Sequence, residues 1–184
     1  MELARATLAA RLAGRPLPPV PAVPGVLLQR GAFVTITERG SLRGCIGHIA
    51  ADRELGAVVR EMTVAAAEDD PRFPPVALDE LGSVALEISV LSAPKRLGPP
   101  ADPGRLVVGR DGLIVRRGGK IGVLLPQVAT EHRWGPEAFL AAACRKAGLA
   151  PEAWHEDRTE VLTFQADVFG ESGSERHATR EGEG

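Results

Sequence analysis

The chain has 184 residues, 44% of them apolar and 25% charged, with a formal charge of −2 and an isoelectric point near 6.1. That is the balance of an ordinary soluble domain, and it gives no global electrostatic pull toward nucleic acid or an anionic membrane surface. No apolar run reaches the ~18 residues that a bilayer span needs, and two cysteines, Cys45 and Cys144, make no disulfide framework.

The opening segment, MELARATLAARLAGRP, carries a glutamate at once and no continuous apolar stretch, so it is not expected to act as a signal peptide. It reads as a helix over 2–14, and a cytoplasmic location follows as the expectation. Prolines 16, 18, 19, 21 and 24 make residues 15–26 an extended connector. Residues 32–37 alternate as a strand, and ERGS turns the chain into a second strand from Leu42. A helix then runs from Asp52, its expected cap, until Asp69, Asp70 and Pro71 end it. DDPRFPPV is a proline-stiffened loop, and SVALEISVLS (83–92) is the clearest strand.

Further on, GLIVRRGGKIGVLLP reads as a hairpin turning at Gly118-Gly119. A helix opens at Pro136 and stops near Gly148. TEVLTFQADVF (159–169) is a last strand, and the tail 171–184, polar but for Ala178, is expected to be disordered. Only seven residues are aromatic and none is tyrosine, so the core must come mainly from Val, Leu, Ile and Ala. Tight turns between strands, with helices inserted between groups of them, point to an α+β fold: a mainly antiparallel sheet with flanking helices, one domain over 1–170.

The stretch LRGCIGH concentrates the chemistry. In a regular strand Arg43 and Cys45 share a face at i, i+2, and a guanidinium beside a thiol favours the thiolate. His48 faces away unless the chain bulges, which Gly44 and Gly47 permit. Against a reactive cysteine stands the ordinary reading of a small buried hydrophobe. C-x-x-H is half of a metal site, but no second pair exists, so no metal is expected. Cys144 sits with Phe139, Leu140 and Ala143 on an apolar helix face and reads as core. Glu87 lies mid-strand on the less apolar face, toward solvent or a cleft, and Arg72 in the stiff loop is either an ordinary solvated surface charge or a guanidinium aimed at an anion. Glu131 and His132 precede the helix at Pro136, as an acid–base pair or as a local cap.

These segments, GAFVTI…GSLRGCIG, DPRFPPV, LEISVLS and LLPQVATEHRWGPEAFLAAACRKAGL, resemble in order the AMMECR domain family, whose bacterial and archaeal members are named for an AmmeMemoRadiSam system. The resemblance implies a larger and a smaller subdomain around an antiparallel sheet, and an active-site role for the signature cysteine, here Cys45. It implies association with Memo-like and radical S-adenosylmethionine proteins, and supplies no reaction and no cofactor. Three readings stand. One is a cysteine-dependent enzyme using Cys45 and Arg43, with His48, Glu131 or His132 as partner and backbone N–H groups freed by Gly44 and Gly47 as donors. The others are a non-catalytic adaptor and a metal- or redox-binding module. A monomer or a homodimer suits any of them.

Overall fold

A computed structural model of the chain describes residues 1–171. In chain order they form α1 (Glu2–Leu12), α2 (Pro24–Leu27), β1 (Ala32–Glu38), β2 (Ser41–His48), α3 (Leu55–Glu68), β3 (Val84–Leu91) and β4 (Lys95–Arg96). There follow β5 (Gly112–Arg117), β6 (Lys120–Leu124), α4 (Pro126–Glu131), α5 (Pro136–Lys146), β7 (Glu160–Phe164) and β8 (Ala166–Gly170). The strands make two four-stranded sheets, β2-β1-β3-β8 and β4-β7-β5-β6, so the class is α+β with antiparallel pairing.

The chain divides into two compact units. The first comprises Met1–Leu91 and the chain from Asp167, the second Ser92–Ala166. In the first, α3 lies on one face of the sheet and α1 packs against α3. Ala32, Val34 and Ile36 of β1, with Leu86 and Ile88 of β3, point at Val58, Met62 and Ala66 of α3 and at Leu8 of α1. Alternation along β1 therefore writes a core face and an opposite face bearing Phe33, Thr35 and Thr37. In the second unit, Leu113, Val115 and Val161 pack with Phe139, Leu140, Ala143 and the fully buried Cys144 of α5.

Four expectations need correction. The strand over 159–169 is two strands, β7 in the second sheet and β8 in the first. The break falls at Gln165, whose N–H leaves the ladder and donates to Ser92 Oγ at 2.9 Å. Asp52 does not cap α3. The helix starts at Leu55 after Glu54 with no side-chain cap, and Asp52 accepts from His48 instead. The connector is not extended throughout: Pro24–Leu27 makes a helical turn, and Leu28 O accepts from Leu55 N at 2.9 Å. The tail from 172 lies outside the described residues. Glu171, the first residue expected to be loose, instead accepts from Arg5 Nε at 2.6 Å and from Leu86 N at 2.9 Å.

Candidate functional site

The β1–β2 hairpin turns at Arg39 and Gly40, both with positive φ, 49° and 82°. That is the primed two-residue turn whose twist matches the strands. It pairs Glu38 with Ser41 and Thr37 with Leu42, yet the next pair is Ile36 with Gly44. Arg43 has no partner and is the extra residue of a β-bulge. Had β2 kept the register that the turn sets, Arg43 would lie opposite Ile36 and Cys45 opposite Val34, both on the core face. The bulge moves Cys45 opposite Thr35, on the face away from α3.

Each residue of the motif then has a separate physical task. Gly44 lies on the core face, where a Cβ would come within 2.1 Å of the Ala66 carbonyl oxygen of α3. Ile46 fills the core beside it. Gly47, on the opposite face, lies under the Phe33 ring, whose Cδ1 would be 2.2 Å from an added Cβ. Arg43 grips the chain that follows α3. Its Nε and Nη2 donate to Glu80 at 2.7 and 2.9 Å, and Nη1 and Nη2 donate to the Pro74 and Pro75 carbonyls at 2.7 and 3.1 Å. The hydrogen bonds from Arg43 and from Ala77 N–H hold the Glu80 carboxyl below its usual range.

The first unit places the guanidinium of Arg72, rather than that of Arg43, at Cys45. Cys45 N–H points outward from the sheet edge and donates to Asp70 Oδ2 at 2.8 Å. Thr35 and Cys45 are thus a non-hydrogen-bonded pair, the kind that brings side chains closest, and Thr35 Oγ1 donates to Cys45 Sγ at 3.3 Å. Arg72 binds Asp70 bidentately, Nε to Oδ1 at 2.9 Å and Nη2 to Oδ2 at 2.6 Å, and Nη2 also donates to Cys45 O at 3.5 Å. The Asp70 side chain is 3% exposed and that of Arg72 54%. The Arg72 hydrogen bonds, against the cost of burial, hold Asp70 well below the usual carboxylate range.

Glu87 lies directly across from Thr35 on β3. Cys45, Thr35 and Glu87 therefore form one row across three strands on the sheet face away from α3. His48 is on the core-face side of the alternation with Ile46, and Nε2 is 2.6 Å from Asp52 Oδ1. The bulge lies before Cys45, so it does not bring His48 round. Glu131 ends α4 and His132 follows it, stacked on Trp134 with centroids 4.4 Å apart; both belong to the second unit. The Cys45 N–H is taken by Asp70 and is no free donor.

Thr35 and Asp70 escaped the sequence reading. One signal could have found Thr35: in the register set by the turn, an arginine falls on the core face, and that conflict announces an extra residue. Among the described residues no three His, Cys, Asp or Glu side chains gather as a metal site. No described helix is long and apolar enough to cross a membrane.

A sequence model of the AMMECR1 family matches residues 1–169. The chain is similar to a protein from Methanothermobacter thermautotrophicus, 48% identical over 155 residues, which are 82% of this chain and 81% of that one. It is also similar to a protein from Pyrococcus furiosus, 43% identical over 166 residues, 86% of this chain and 79% of that one. The crystal structure of the uncharacterized protein PH0010 from Pyrococcus horikoshii has a TM-score of 0.86 at 39% identity, covering 93% of this chain and 89% of that one.

Proposed function

We propose, for a chain that belongs to the AMMECR1 family, that it is a cysteine-dependent enzyme whose nucleophile is Cys45. The observation that carries this reading is the bulge at Arg43, which turns Cys45 out of the core register and opposite Thr35. A merely space-filling cysteine would be served by the register the turn sets. Thr35 orients the sulfur, Arg72 presents a guanidinium fixed by Asp70 for an anionic group on the substrate, and Glu87 is the carboxylate next in the row. Arg43 acts through position, holding the loop that carries Asp70 and Arg72.

Alkylation of the folded chain with iodoacetamide tests this. Cys45 is expected to react about tenfold faster than free cysteine at neutral pH, and Thr35→Val and Arg72→Gln to lower that rate. Cys144, fully buried and with its thiol pushed up by burial, serves as the unreactive internal control. A Cys45 that reacts no faster than free cysteine sinks the enzyme reading. In that case an adaptor for Memo-like and radical S-adenosylmethionine proteins is the reading left, and Cys45→Ser should leave their capture in a pull-down intact.

A further inference from the structure

We propose that the second unit carries a binding site for a small, multiply charged anion, separate from Cys45 and its chemistry. The unit contains a cavity of about 300 Å³ whose charged lining is Lys95, Arg96, Arg105, Arg110 and Asp111, with Gln165 beside them. That size suits a phosphorylated or polycarboxylic metabolite rather than a polymer.

The charges in it do not balance. Arg96 Nη2 is answered by Glu160 at 2.7 Å. Arg110 is answered by Asp111, which takes Nε at 2.9 Å and Nη2 at 3.0 Å. Asp111 is itself fully used, since it also accepts from Val107 N at 2.9 Å and Gln165 Nε2 at 3.5 Å. Burial pushes its carboxyl up, but the bonds from Arg110 and Val107 prevail and hold it below its usual value. It therefore stays a carboxylate and neutralises Arg110 alone. Among the described residues neither Lys95 nor Arg105 has a carboxylate within 4.0 Å. Two unanswered cations are left on one concavity.

Their placement is not that of a solvated convex face. Lys95 comes from β4, Arg105 from the turn at Pro103–Arg105, and Arg110 from the loop after it. Buried Leu97 and Leu106 anchor the chain beside the first two, and Asp102 caps the turn through Gly104 N at 2.9 Å. Two anchored segments thus bring the unanswered charges of Lys95 and Arg105 to one concavity, where an entering anion would offset their mutual repulsion. Gln165 and Thr163 add polar groups for the anion's remaining oxygens.

Isothermal titration calorimetry on the full chain at low ionic strength, with pyrophosphate and citrate as probes, decides the matter. One site per chain is expected, with affinity falling as salt rises. Lys95→Gln with Arg105→Gln should weaken it by about tenfold or more, while Arg15→Gln leaves it unchanged. Both lining side chains are exposed, so the double variant should keep its melting temperature, and Lys95→Arg with Arg105→Lys should keep binding. Preference between the probes separates a phosphate ester from a polycarboxylate. No saturable heat with either probe, or equal affinity in the Gln double variant, overturns the proposal.

Discussion

Gly44→Ala is expected to cost about 3 kcal/mol of stability, at the upper end for overpacking a core. The added methyl would come within 2.1 Å of the Ala66 oxygen and 3.2 Å of its carbonyl carbon. Both are backbone atoms in the last turns of α3, whose Val58, Met62 and Ala66 are packed into the core. The helix cannot yield there without parting from β1 and β2. Gly47→Ala meets the Phe33 ring instead, a side chain that can swing aside, and should cost about 1 kcal/mol. For a chain of this size each kcal/mol lowers the melting temperature by roughly 2–4 °C. Denaturant midpoints of the two variants, at unchanged m-value, would measure the gap. Equal losses would mean that the helix does not depend on close approach at Gly44.

How far this arrangement was legible in the sequence follows from the range of each interaction. Alternation along SVALEISVLS and the paired glycines at 118 and 119 are local signals, and β3 and the β5–β6 hairpin stand where they point. Cys144 is core because its helix face is apolar over several turns. The strand over 159–169 misled because alternation reports which way side chains point and nothing about which strand the backbone pairs with. At LRGCIG the same limit is sharper. An extra residue leaves the spelling of a strand intact while exchanging its faces, so Arg43 and Cys45 look like neighbours at i, i+2 and end with different partners. Asp70 was invisible for another reason. Next to Asp69 and before Pro71 it reads as a helix terminator, and its partner Cys45 N–H is 25 positions earlier in the chain. Only the fold supplies that contact.

Asp70 therefore carries the second large expectation. Removing its side chain in Asp70→Ala leaves Cys45 N–H on the strand edge without an acceptor and frees Arg72, at an expected cost of about 2 kcal/mol. The figure lies below that for a fully buried ion pair because Arg72 can return to water. Asp70→Asn keeps one oxygen for the N–H and should cost about half as much. The pH dependence separates charge from hydrogen bonding. Asp70 has a folded-state pKa below its unfolded value, so its contribution is fully present above the unfolded value of about 3.9 and is lost as pH falls toward the folded one. Urea unfolding of the native chain and of Asp70→Asn, compared from pH 7 downward, should show a stability difference that holds to about pH 5 and then narrows. The comparison cancels the other depressed carboxylates, Glu80 and Asp111 among them, which titrate alike in both proteins. A difference that does not change with pH would mean that the charge on Asp70 contributes nothing, and that neutral hydrogen bonds alone hold Cys45 at the edge of the sheet.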